Sequence, residues 1–214
     1  MNDMYAGLFP NEPILMPFQV EPLNSDKFAC VEFLKLKEKF NIEIVVELGA
    51  CVGGSTKFFC NNYKFVHSIE INPTFLDIAK QRCNGALTEP NLYLGSTVDL
   101  LADVLKKCND KTICFIDSHW MTLPLIEELK IIKASGLKMC IVVHDCLVPN
   151  EPKLGFDSYE GVDISYVTMK PYLDDIYGVD GYEYHYNSDA ESTIVKRGII
   201  YVYPKATLPF TVNK

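Results

Sequence analysis

Two short polar runs carry the side chains of this chain that are best suited to chemistry. Asp117-Ser118-His119-Trp120 follows the apolar run that ends at Ile116, and His144-Asp145-Cys146 follows the one that ends at Val143. Carboxylates bind hard divalent cations such as Mg²⁺ through oxygen, and a bound cation can lower the pKa of a substrate hydroxyl and orient it. The pattern predicts that Asp117 and Asp145 share a metal ion, although either aspartate could instead cap the segment that follows it.

A glycine-rich turn indicates a second kind of site. Residues 44–56 predict a buried strand, a sharp turn through Gly49, Gly53 and Gly54, and the start of a helix. Glu47, at the mouth of the strand, would repel a pyrophosphate but suits a ligand with an amino group. The dinucleotide fingerprint G-x-G-x-x-G is absent because Cys51 replaces its second glycine, and no Walker loop is present. The turn therefore predicts a site for a cofactor other than a dinucleotide.

The elements that must position these residues alternate between strand-like and helix-like patterns. Strands are predicted at residues 44–47, 65–71, 91–94, 112–116 and 139–143, with helices between them, and two further strands at 181–186 and 198–203. This order predicts an α/β fold with a doubly wound, mostly parallel seven-stranded sheet and an antiparallel last strand. Ligands bind beyond the carboxyl ends of such strands, so the polar strand ends should form one site.

Composition restricts the partners. We expect a single domain over residues 1–214, with an extended N-terminal arm at 1–23 and an acidic, tyrosine-rich substrate lid at 151–193. The net charge is −8, and residues 151–193 hold ten acidic residues against two lysines. This charge disfavours nucleic acid and anionic membranes as partners. Eight cysteines without a C-x-x-C motif, and no signal peptide or membrane span, predict a reduced cytoplasmic protein. The oligomeric state stays open.

The spacing of two acidic residues narrows the cofactor. Glu70 ends the second predicted strand and lies 23 residues after Glu47, where nucleotide-binding folds place an acid on the ribose hydroxyls. An acid before the glycine turn together with a ribose-binding acid suits a nucleoside that carries an amino-acid tail. S-adenosyl-L-methionine has this structure.

Four motifs in residues 25–150 resemble class I S-adenosylmethionine-dependent methyltransferases, most closely the metal-dependent catechol-type and sugar O-methyltransferases. The motifs are Glu47-Leu48-Gly49-Ala50-x-x-Gly53-x-Ser55, Ser68-Ile69-Glu70-Ile71-Asn72-Pro73, Gly95-Ser96-Thr97 and Asp117…His119-Trp120. The resemblance implies a Rossmann-like fold in which the cofactor's methionine end meets the first motif. It places the ribose at Glu70 and the adenine near Ser96 and Thr97, with His119 and Trp120 beside it. Asp117 and Asp145 match metal-ligand positions.

Two departures from the catechol-type pattern affect the chemistry. Cys146 stands where an asparagine usually completes the metal site, and Met121 stands where a lysine base is expected. The similarity to sugar O-methyltransferases instead implies that His119 or His144 is the general base. We expect a Mg²⁺-assisted O-methyltransferase that methylates a hydroxyl of a sugar or glycan. A catechol-like acceptor, another enzyme on this fold and a non-catalytic cofactor-binding module are the alternatives.

Overall fold

The computed structural model describes residues 21–119, 122–189 and 195–205. Its centre is a seven-stranded sheet in the order β3-β2-β1-β4-β5-β9-β8. The strands are β1 (Ile44–Leu48), β2 (Phe65–Glu70), β3 (Asn91–Leu94), β4 (Thr112–Ile116), β5 (Cys140–His144), β8 (Tyr182–Tyr186) and β9 (Ile199–Pro204). A separate two-stranded hairpin contains β6 (Ser158–Tyr159) and β7 (Val162–Asp163).

Strands β1 to β5 are parallel, and β9 runs antiparallel to both β5 and β8. The predicted fold class is therefore confirmed, including the antiparallel last strand. In register, Leu48 of β1 lies beside Ile69 of β2 and Ile116 of β4. Because these strands end at the same edge of the sheet, the polar residues that follow them are brought together.

Within the described residues, six α-helices flank the sheet: α1 (Lys27–Phe40), α2 (Gly54–Asn62), α3 (Pro73–Arg82), α4 (Thr97–Leu105), α5 (Leu125–Ser135) and α6 (Tyr166–Tyr177). Buried side chains of α4, α5 and α6 pack on one face, and those of α1 and α2 pack on the other. All five residues of β1, β4 and β5 are buried. Burial on both faces explains why these strands read as continuous apolar runs.

Several sequence expectations need correction. The sequence predicts a helix that is capped by Asn24, Ser25 or Asp26, runs to about Phe40 and has an apolar stripe of Phe28, Val31, Leu34 and Phe40. Asp26 caps α1, but Phe28 and Val31 are 46% and 49% exposed, so the stripe was wrong at these two positions. Ala29, Phe33 and Leu36 are the buried residues of α1. The stripe is shifted because the sheet covers the 29-33-36 side of the helix.

The acidic segment contains a helix that the sequence analysis did not predict. Met169, Leu173 and Ile176 of α6 are buried in the core, so this helix is part of the helical layer. Within 151–193, residues 151–165 remain as the stretch that could cover a site, and they include the β6–β7 hairpin. No helix in the described ranges has the length and apolar character needed to cross a membrane.

The predicted arm falls almost entirely outside the described residues. Its last part enters a 3₁₀ turn at Pro22–Ser25, where Leu23 is buried against the α1–α2 side of the core. The Leu23 amide donates to the Ser55 hydroxyl at 3.0 Å. The chain before α1 is therefore attached to the first turn of α2.

Candidate cofactor and acceptor site

The glycine turn after β1, where the cofactor is predicted to bind, is in contact with the end of β4, where the metal site is predicted. Gly49 has a φ of +94°, and a Cβ there would lie 2.3 Å from the Asp117 carbonyl oxygen. Gly53 has a φ of +80°, and its Cβ would lie 2.6 Å from the Cα of Ala79 in α3. Only glycine fits both the backbone angle and the space. The turn thus lies directly against the end of β4, where the Asp117 amide donates to the Leu48 carbonyl at 2.9 Å.

Glu47 is fully buried beneath this turn. Its Oε2 accepts hydrogen bonds from Thr56 Oγ1 at 2.6 Å and from Ser68 Oγ. Its Oε1 has no hydrogen-bond partner among the residues that the structure describes. Burial raises the pKa of Glu47 to about 8, against the opposing effect of the two hydroxyl donors. The carboxyl is therefore protonated at neutral pH unless a cationic group binds beside it.

Glu70 ends β2 and holds the turn from the other side. Its Oε2 accepts from the Cys51 amide at 2.7 Å, and its Oε1 accepts from the Asn72 amide at 2.8 Å. Cys51 has a φ of +48°, which is uncommon for a residue with a side chain. Burial raises the pKa of Glu70, although the backbone donors lower it. The acid predicted to bind the ribose thus also stabilises the loop that would bind the methionine end.

A third buried carboxyl group lies at the predicted adenine end of the cofactor site. Glu128, in α5, is fully buried, and its Oε1 accepts from Thr97 Oγ1 at 2.5 Å and from Ser118 Oγ at 2.6 Å. Thr97 begins α4, next to Gly95 and Ser96, and Ser118 lies between Asp117 and His119. Glu128 therefore fixes the β3–α4 connection relative to the segment after β4. Burial raises its pKa.

Asp117, His119 and Asp145 form a compact cluster at the ends of β4 and β5. His119 Nε2 is 2.9 Å from Asp145 Oδ2 and 3.7 Å from Asp117 Oδ1. His144 Nδ1 lies 3.1 Å from Asp145 Oδ1 and 3.6 Å from Asp117 Oδ1. Both imidazoles are buried, whereas the Asp117 side chain is 27% exposed. The structure therefore brings together all four residues that the sequence analysis named as catalytic.

Charge governs protonation in this cluster. Burial opposes the charged form of both imidazoles, but the neighbouring aspartates outweigh it, raising the pKa of His119 and raising that of His144 to about 9. Burial also raises the pKa of Asp117. Burial acts in the same direction on Asp145, but the histidines and Arg197 outweigh it and hold its pKa below the usual range. Asp145 is thus the permanently ionised member.

Three further residues, Arg197, Asp157 and Tyr159, complete the cluster. The Arg197 Nε donates to Asp145 Oδ1, and its Nη2 donates to Asp157 Oδ1. Tyr159 donates its hydroxyl to the His119 carbonyl at 3.1 Å and lies 3.3 Å from Asp157 Oδ2. Asp145 has a φ of +57°, so its backbone adopts a conformation that a non-glycine residue rarely takes.

Most tyrosines of the acidic segment pack against each other or the core rather than facing the cluster. Tyr166 stacks on Tyr184 with ring centroids 4.1 Å apart, and Tyr177 donates its hydroxyl to the Met139 carbonyl. Among the described contacts, Tyr159 is the tyrosine of this segment that reaches His119. Tyr159 is therefore the tyrosine of this segment that is placed to contact an acceptor bound at the cluster.

The donor set fits a divalent cation. One ligand atom each from Asp117, His119 and Asp145 lies within 4.8 Å of the others. Cys146, by contrast, is fully buried in the core beneath β5, and burial raises its thiol pKa to about 12. Cys146 is therefore not positioned as a ligand, and His119 is the better candidate for the third donor. The predicted Trp120 contact lies outside the described residues.

Sequence reasoning did not identify Glu128, Asp157 and Arg197 as site residues, and it named Tyr159 only as one of the tyrosines of the acidic segment. Arg197 could have been noticed because the chain has only two arginines, and the planar guanidinium is the cation suited to bridging two carboxylates. The others gave no such signal. A glutamate within a helix and an aspartate in an acidic loop both read as ordinary surface residues.

No family model matches the sequence, and no curated protein matches it. The similarity to solved structures lies in the fold. An O-methyltransferase from Bacillus cereus, in complex with SAH, superposes with a TM-score of 0.55 at 16% identity, covering 94% of this chain and 86% of that one. The O-methyltransferase TomG from Streptomyces achromogenes, in complex with SAM, gives 0.56 at 15% identity over 82% and 79%.

The same fold also carries other acceptor chemistries. An rRNA methylase from Streptococcus thermophilus superposes with a TM-score of 0.52 at 14% identity, covering 81% of this chain and 94% of that one. The chain thus has the fold of class I S-adenosylmethionine-dependent methyltransferases, which is the class its motifs resemble. The fold alone does not select the acceptor.

Proposed function

We propose that this protein is an S-adenosylmethionine-dependent O-methyltransferase that methylates a hydroxyl of a sugar or glycan. The observation that carries the proposal is the contact between the glycine turn and the Asp-His cluster. Gly49 touches the backbone of Asp117, so a cofactor seated on the turn would lie next to carboxylates and an imidazole. Methyl transfer requires this proximity of donor and acceptor sites.

The residues of the cluster suit activation of an oxygen nucleophile. Asp145 is held ionised and accepts the hydrogen bond of His119 Nε2 at 2.9 Å, which fixes the ring. His119 Nδ1 is buried and has no partner within the described residues, so it would be the ring nitrogen that accepts a proton from a hydroxyl bound against it. The neighbouring aspartates raise the pKa of His119, so the base form of the ring is favoured at higher pH. We assign His119 as the base and Asp145 as the residue that orients it. His144 is buried as well and supports the charge balance.

We propose that Asp117 and Asp145 hold a divalent metal ion, Mg²⁺. His119 would then be either the third ligand of the metal ion or the general base. When bound, such a cation would supply Lewis acidity that lowers the pKa of the acceptor hydroxyl. The protein's own residues hold Asp145 ionised, orient His119 and close the cluster on one side with Tyr159.

Charge and polarity support a neutral polyol as acceptor. The segment 151–193 carries eight more acidic than basic residues, which disfavours phosphorylated acceptors and rRNA. Carboxylates and the Tyr159 hydroxyl can accept and donate hydrogen bonds to sugar hydroxyls. A catechol-like small molecule is the second candidate. TomG, an O-methyltransferase of similar fold, is described as involved in tomaymycin synthesis. We further propose a cytoplasmic protein, with no nucleic acid or membrane partner.

Two measurements test the proposal. Isothermal titration with S-adenosylhomocysteine should show binding, and radiolabelled methyl transfer should appear in a screen of monosaccharides, oligosaccharides and catechols, each with Mg²⁺ and with chelator. Absence of cofactor binding would refute the methyltransferase assignment. Methylation confined to catechols would select the second candidate, and cofactor binding without any transfer would favour a non-catalytic module.

A further inference from the structure

An arginine binds the same aspartate that the predicted metal ion would use. Arg197, just before β9, donates from Nε to Asp145 Oδ1 and from Nη2 to Asp157 Oδ1. Its side chain is 25% exposed, and that of Asp145 is 14% exposed. One guanidinium therefore bridges a predicted metal ligand and a second aspartate that lies outside the predicted ligand set.

The surrounding backbone is built around this side chain. A Cβ at Gly155 would lie 2.9 Å from Arg197 Nη1, so a larger residue there would displace the guanidinium. The Gly155 amide donates to the Lys196 carbonyl at 2.8 Å, and the Gly198 amide donates to the Gly155 carbonyl at 2.9 Å. These bonds hold the two segments together on either side of Arg197. Its position is therefore set by the fold rather than by a mobile surface contact.

Both oxygens of Asp145 are already engaged. Oδ2 meets His119 Nε2 at 2.9 Å, and Oδ1 receives the Arg197 Nε–H. Oδ1 also lies 3.1 Å from His144 Nδ1, so a cation that binds Asp145 through Oδ1 would compete with both the arginine and this imidazole for one oxygen. Asp157 offers the arginine a second carboxylate to which it is already bonded through Nη2.

We propose that Arg197 is an internal counter-cation that competes with a divalent metal for Asp145 and is retained by Asp157 when the metal binds. The inference rests on the metal-assisted form of the proposed function. It predicts that the metal affinity of the cluster is limited by Arg197, and not only by the number of its carboxylates. The arginine would hold the Asp145 side chain in place before the metal arrives.

Binding of Mn²⁺ to the full chain, without methyl donor or acceptor, tests the competition directly. Arg197→Met retains a long apolar stem without the charge, and Lys196→Met removes the adjacent cation, which pairs with Asp189 instead. We expect Arg197→Met to bind Mn²⁺ about tenfold more tightly than the wild type, and Lys196→Met to match the wild type. Equal or weaker binding by Arg197→Met, or no Mn²⁺ binding by either protein, would overturn the proposal.

A second measurement uses the wild type and so does not depend on how a variant folds. The chain has two arginines, Arg82 and Arg197, so their Nε–H resonances can be assigned by nuclear magnetic resonance with one variant. Saturation with Mg²⁺ should shift the Arg197 resonance and leave that of Arg82 in place. An unshifted Arg197 resonance at saturation would contradict displacement.

The two proposals fail in different ways. Titration with S-adenosylhomocysteine reports on the glycine turn, which Arg197 does not touch. Normal cofactor binding with no metal competition would overturn the role of Arg197 alone. Failure to bind the cofactor would remove the proposed function while the Mn²⁺ comparison still stood.

Discussion

Replacing Glu47 with Gln should change how stability depends on pH. Glu47 is fully buried, and burial raises its pKa from 4.5 to about 8 in the folded protein. The folded state therefore holds a proton on this carboxyl over a pH range in which the unfolded chain has lost it. Because the folded state binds more protons, the free energy of unfolding falls as the pH rises from about 4.5 to about 8. Glutamine has no proton to lose and keeps an acceptor for Thr56 and Ser68.

The size of the effect follows from the two pKa values. Each pKa unit corresponds to about 1.4 kcal/mol, so ionising Glu47 in the folded protein costs on the order of 5 kcal/mol as an upper value. The Gln variant should gain stability relative to the wild type across this pH range. The gain should level off above about pH 8, where the folded wild type is also ionised.

Urea unfolding of the ligand-free protein at pH 5, 6, 7 and 8 measures the effect. The difference between Glu47→Gln and wild type should grow steadily over this series. Glu43→Gln, just before β1 and paired with Lys64 at the surface, serves as the matched control and should run parallel to the wild type. Parallel curves for Glu47→Gln would refute the burial argument.

The same residue makes a prediction about the cofactor. If the amino group of S-adenosylhomocysteine binds beside Glu47, its positive charge should lower the carboxyl pKa and release a proton at pH 7. Titrations in buffers of different ionisation enthalpy should detect up to about one proton released by the wild type, and none by Glu47→Gln. Equal proton release by both proteins would place the amino group elsewhere.

Three further substitutions separate structural from chemical roles. Asp145→Ala should abolish methyl transfer and keep S-adenosylhomocysteine affinity within a few-fold; loss of both would make Asp145 structural. Glu128→Ala should lower stability by about 2–4 kcal/mol and weaken cofactor binding about tenfold, because two buried hydroxyls lose their acceptor, whereas Glu128→Gln should retain binding. Gly49→Ala should cost more than about 3 kcal/mol in urea unfolding, since its Cβ meets the Asp117 carbonyl, against about 1 kcal/mol for Gly136→Ala, which has open space.

Local patterns in the sequence were sufficient for much of the fold. The β-branched runs at Ile44 and Ile113 predicted buried strands because a parallel strand covered on both faces is apolar at every position. The run Asn24-Ser25-Asp26 predicted a helix cap, and Asn72-Pro73 predicted the end of the second strand. In the structure the Asp26 and Asn72 side chains accept from the first free amides of α1 and α3. The α6 helix was missed because Pro171 and the acidic residues hide its apolar side.

Side-chain partners drawn from distant segments could not be predicted in this way. Arg197 meets Asp145 across 52 residues of chain, and Thr97 meets Glu128 across 31. No periodicity encodes such pairs, because they depend on how β9 and α5 pack beside the strand ends. The same reason made the stripe of α1 wrong at Phe28 and Val31: the sequence shows which residues are apolar, but the sheet selects the side that is covered.

The sequence by itself determined the class of fold and the kinds of residue at the strand ends. Glycine at 49 and 53, the acids at 47 and 70, and the aspartates at 117 and 145 follow from local backbone and cofactor chemistry. The tertiary structure alone decided their electrostatics. Burial makes Glu47 a proton-holding carboxyl, whereas His144, His119 and Arg197 keep Asp145 ionised although it is also largely buried. A pKa depends on all charges and on the solvent around a group, and these are fixed only when the chain is folded.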